Sequence, residues 1–82
     1  MNLSESPRAQ LTMHELIILH ALADGAQSKE MARLINRSRG TVEFYIRSLF
    51  LKLNARSRPH LVAQAFRSGV LRVVPANAPT AA

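Results

Sequence analysis

Apolar residues recur three and four positions apart between residues 11 and 71 of this chain, in blocks separated by short polar turns. No stretch alternates with period two, so the pattern predicts helices and no sheet. The first helix has a marked start. Thr12-Met-His-Glu15 fits a capping box, in which Thr12 accepts from the Glu15 amide and Glu15 reaches back to Thr12, with Leu11 and Leu16 as a staple across it. Leu16, Ile17, Leu19 and Ala23 are expected to face inward, and Asp24-Gly25 to end the helix. Ser28 reads as the cap of a second, two-turn helix lined by Met31, Ala32, Leu34 and Ile35, and closed at Asn36, which tolerates left-handed geometry. Ser38 caps a third helix with apolar positions Val42, Ile46, Leu49, Phe50 and Leu53. Ser57 caps a fourth, with Pro59 in its first turn, a stripe of Leu61, Val62, Ala65 and Phe66, and Gly69 after its end. The expected fold is all-α, four helices across residues 11–71. A loose N-terminal arm (1–10) and a tail rich in proline and alanine (72–82) flank it.

Composition narrows the function. Eighty-two residues suffice for one domain with one modest core. With no cysteine there is neither a disulfide framework nor a thiolate metal site, and His14, His20 and His60 stand apart from any carboxylate at ligand spacing, so no metal or other cofactor is expected. The first ten residues lack the apolar core of a signal peptide. The longest strongly apolar run, residues 16–19, is far short of a membrane span of about 20 residues. A cytoplasmic, nucleoid-associated protein without a membrane partner is the expectation. An enzyme is the least favoured class, because the acids and histidines are scattered and Glu15 is accounted for by capping.

Charge changes the picture most. The chain carries a net +6, and all of it falls within residues 29–58. There Lys29, Arg33, Arg37, Arg39, Arg47, Lys52, Arg56 and Arg58 face only Glu30 and Glu43. A surface so one-sided attracts a polyanion. A two-turn helix, a brief turn at Asn36-Arg37 and a longer capped helix form the layout of a helix-turn-helix, whose second helix (residues 39–53) enters the major groove of double-stranded DNA. On its outer face Arg47 can donate two hydrogen bonds to guanine, Glu43 can accept from the cytosine amino group, and Phe44 can touch a thymine methyl. Ser28, Lys29, Ser38, Arg39, Thr41 and Ser48 are candidates for the phosphate backbone, which favours helix starts and short polar side chains. Other readings stand beside these. Glu43 can pair with Arg39 or Arg47, Phe44 and Leu51 can form a protein-docking patch, and Tyr45 reads as a core-edge residue with its hydroxyl in water.

Several segments together resemble a known family. They are Leu-Thr-Met-His-Glu-Leu-Ile-Ile-Leu (11–19), Asp-Gly (24–25), Ser-Lys-Glu-Met-Ala (28–32), Ser-Arg-Gly-Thr-Val-Glu-Phe-Tyr-Ile-Arg (38–47), Lys-Leu (52–53) and Arg-Ser-Arg (56–58). In order and spacing they look like the LuxR-type (GerE-like) DNA-binding domain, without gaps, over residues 11–71. Arg37, Asn36, Tyr45 and Leu51 depart from its usual pattern. The resemblance implies a transcriptional regulator whose third helix reads the major groove through Glu43, Phe44 and Arg47. It also implies a homodimer on an inverted repeat, paired through Leu61, Val62, Ala65 and Phe66 of the fourth helix. The family's usual sensor or receiver domain has no counterpart here, which leaves a stand-alone regulator or a piece of a longer one. An alternative is a module that pairs with RNA polymerase or another LuxR-type regulator.

Overall fold

A computed structural model describes residues 10–73. The expected tail falls outside them except for Arg72 and Val73, and the expected arm except for Gln10. Four helices follow in order: α1 (Met13–Ala23), α2 (Ser28–Ile35), α3 (Arg39–Lys52) and α4 (Arg58–Arg67). No strand occurs among the described residues.

Each helix begins where a side-chain oxygen accepts from a backbone N–H at its start. At α1 the capping box is complete: Thr12 Oγ1 accepts from the Glu15 amide at 3.1 Å, and Glu15 Oε1 accepts from the Thr12 amide at 2.8 Å. Ser38 accepts from the Thr41 amide and Ser57 from the His60 amide, each at 3.1 Å. At α2 the expectation fails by one residue. Gln27 is the cap, its amide donating to Glu30 Oε1 at 3.1 Å, and Ser28 is the first helical residue. Its hydroxyl is drawn instead to a partner on α3. The turn between α2 and α3 is made by Asn36 at φ 54°, with the Arg37 amide donating to Ala32 O at 3.0 Å. Asparagine tolerates this left-handed conformation better than most residues.

One core joins all four helices. Ile18, Leu19, Met31, Val42, Ile46, Leu49, Leu61 and Ala65 are completely or almost completely removed from solvent. Leu11 before α1 and Val70 and Leu71 after α4 close the two ends. α1 meets each of the other three helices, and α2 packs on α3. Two expected core positions and part of the expected pairing surface are corrected. Ala23 is exposed, and Ile18 and Ala21 face inward in its place. Leu34 is 62% exposed, because α2 is short and only Met31 and Ile35, one turn apart, reach the core. On α4, Leu61 and Ala65 are wholly buried within the single chain. They belong to the core and are not available to a second copy. Val62 remains half-buried and Phe66 39% exposed.

Candidate nucleic-acid interface

α3 carries the site, and its side chains sort by angle at about 100° per residue. Val42, Ile46 and Leu49 point into the core. The opposite pole is Gly40, Phe44, Arg47 and Leu51, all exposed, with Phe44 at 60% and Leu51 at 85%. Between the two poles run two flanks, and on both of them polar side chains are tied to the neighbouring helices.

The first flank faces α1. Ser48 Oγ donates to Glu15 Oε2 at 2.6 Å, and Lys52 Nζ donates to Glu15 Oε1 at 2.7 Å. Lys52 Nζ also donates to the Gln10 carbonyl at 3.0 Å. The Tyr45 hydroxyl lies 3.2 Å from His14 Nδ1, with the two rings edge to face. The Tyr45 hydroxyl, expected only in water, also has a partner on α1. Glu15, placed by the sequence only at the helix cap, is 1% exposed and joins the start of α1 to α3. Burial pushes its carboxyl up, but hydrogen bonds from Lys52, Ser48 and the Thr12 amide, together with the Lys52 charge, outweigh that and hold it below the usual carboxylate range.

The second flank faces the starts of α2 and α4. Glu43 Oε1 accepts from Ser28 Oγ at 2.6 Å and from Arg58 Nη2 at 3.0 Å, and Oε2 accepts from the same Nη2 at 3.0 Å. The pair is open to water, with side-chain exposures of 43% and 44%. The Ser28 hydroxyl, then Arg58 and Arg39, hold the Glu43 carboxyl below its usual range against a smaller push from burial. Glu43 was expected to pair, if at all, with Arg39 or Arg47 on its own helix; Arg58, fifteen residues on, takes that place. One carboxylate thus brings the N-terminal ends of α2 and α4 beside α3. Those ends carry unpaired amides and partial positive charge.

Of the residues expected at a DNA backbone, Lys29, Ser38 and Arg39 are exposed at helix starts. Thr41 is half-buried with its hydroxyl 3.0 Å from Ser38 Oγ. Ser28 and Ser48 spend their hydroxyl hydrogens on Glu43 and Glu15. The eight basic residues between positions 29 and 58 are all exposed. Arg58 and the Glu15–Ser48–Lys52 cluster were not legible as groups in the sequence. Their partners lie 15 to 37 residues apart, and no local pattern marks such a pair.

Comparison with known proteins agrees with this geometry. The profile of the bacterial regulatory proteins of the luxR family matches residues 9–65. The chain is 48% identical over 54 residues to the nitrate/nitrite response regulator protein NarP of Escherichia coli, covering 66% of this chain and 25% of that protein. It is 39% identical over 64 residues to the transcriptional regulatory protein YdfI of Bacillus subtilis, covering 78% and 30%. It is 35% identical over 65 residues to the transcriptional activator protein VanR of Vibrio anguillarum, covering 79% and 27%. The chain spans between a quarter and a third of the length of these relatives.

Proposed function

The chain belongs to the luxR family of bacterial regulatory proteins, as the DNA-binding domain of a transcriptional regulator, and from that premise we propose that it reads duplex DNA with α3 in the major groove. One observation carries this reading. The outward pole of α3 presents Arg47 beside Phe44, both exposed among the described residues, while hydrogen bonds on both flanks of the helix join it to the body. A helix already held in place loses less entropy on binding, and arginine is suited to guanine O6 and N7. Lys29, Arg39 and the helix starts beside Glu43 supply the contacts to phosphate that set orientation.

A homodimer on an inverted repeat follows from the small footprint of one domain. With Leu61 and Ala65 in the core, Val62 and Phe66 are the apolar side chains of α4 left to pair. Pairing through so small a surface depends on DNA to supply the rest of the association energy. Docking on RNA polymerase or on another regulator is a second reading. It is favoured by Leu51, whose 85% exposure on the recognition face has no evident use in reading bases.

The test is selection of bound sequences from a random duplex pool, repeated with Arg47→Ala. The parent should enrich a motif with two-fold symmetry, and Arg47→Ala should lose about 1–3 kcal/mol on it and relax one base pair per half-site. No enrichment by the parent would move the weight to the protein-docking reading.

A further inference from the structure

Within residues 29–58 only Glu30 and Glu43 are acidic, and Glu43 stands on the flank of the recognition helix where a phosphate backbone would pass. Its carboxylate is already committed. Ser28 Oγ and Arg58 Nη2 donate three hydrogen bonds to it, out of about four acceptor directions a carboxylate has. It is turned sideways, toward α2 and α4, and not along the outward pole with Arg47. Arg58 gives it a single nitrogen, and Nη1 and Nε make no hydrogen bond among the described residues. An ion pair this open to water is weak and easily exchanged for a stronger partner.

We infer that Glu43 is a specificity-determining residue acting through Arg58, and not a reader of bases. It holds the Arg58 guanidinium, at the start of α4, away from indiscriminate phosphate binding. Arg58 changes partner from carboxylate to phosphate only when α3 has seated on a sequence that suits it. Glu43 thereby lowers affinity for every duplex, and lowers it least for the preferred one. This rests on the DNA-binding reading above.

The experiment is a titration of the full chain with two labelled duplexes, the preferred one from selection and a scrambled one of equal length, over a range of salt. The proteins are the parent, Glu43→Gln, Arg58→Ala, the double variant, and Ser28→Ala as a milder loosening of the same carboxylate. Thermal melts of each check the fold. Glu43→Gln should bind the scrambled duplex about tenfold tighter near 0.1 M salt and steepen the salt slope by about one unit, the signature of one added phosphate contact. The preference for the selected duplex should fall. Most of the gain should vanish in the Arg58→Ala background, and Ser28→Ala should move the same way by less. A loss confined to one base pair of the preferred duplex would show that Glu43 reads a base and overturn the inference. A gain of equal size with and without Arg58 would reduce it to bare charge and overturn it too. If the parent bound neither duplex, the DNA-binding reading itself would fall, and this inference with it.

Discussion

Glu15 and Glu43 mark opposite flanks of α3 with nearly the same chemistry and opposite settings. Each accepts from one serine and one basic side chain, at 2.6 to 3.0 Å. Each carboxyl is held below its usual range. The difference is water. Glu15 is almost wholly buried and also accepts from the Thr12 amide, whereas Glu43 keeps 43% of its side chain exposed. Opposite charges attract far more strongly where water is excluded, and an unpaired charge there is correspondingly costly. The buried carboxylate is therefore a fastening that joins α1 to α3. The exposed one is a weaker contact, open to water and, in the inference above, exchanged for phosphate. A carboxylate with a serine and a basic side chain can serve rigidity or response, and depth below the surface selects between them.

The largest expected effect tests the fastening. Glu15→Ala strands the Thr12 amide, Ser48 and Lys52 at once, and should cost about 3 kcal/mol of stability, read from the urea midpoint. A loss below about 1 kcal/mol would erase the contrast between the two carboxylates. The pH dependence sharpens it. Glu15 is lowered from an ordinary value of 4.5, so its contribution is fully present above that pH and is lost as pH falls through the lower folded value. Denaturation midpoints of the parent and Glu15→Ala should therefore converge on acidification, and a gap that stays constant would contradict the assigned charge. Thr12→Ala removes one arm of the capping box while leaving Glu15 with Lys52 and Ser48. It should cost about 1 kcal/mol, again by urea denaturation. The smallest effect is on the open side: Glu43→Gln should change stability by less than about 0.5 kcal/mol, whatever it does to DNA binding. A larger destabilisation would make Glu43 a second fastening.

The legible part of the fold was local. The capping box at Thr12, the caps at Ser38 and Ser57, the left-handed Asn36 and the closing Gly69 each depend on residues within a turn of one another, and each stands where the pattern placed it. The outward pole of α3 was legible too, because Phe44, Arg47 and Leu51 share a face by helical spacing alone. What failed was decided by partners distant in the chain. Ser28 looks like a cap in sequence and is taken by Glu43. Ser48 looks like a surface hydroxyl and is taken by Glu15. The apolar stripe of α4 looked wide enough to spare Leu61 and Ala65 for a partner, until packing showed that the core needs both.

Sequence alone therefore determined the four helices, their ends except the start of α2, the basic segment and the exposed pole of α3, since these rest on spacing, capping and charge along a continuous stretch. The tertiary structure decided which polar residues are spent inside. Hydrogen bonds between residues 15 to 37 positions apart form only once packing has brought the helices together, and burial then fixes how much each one matters.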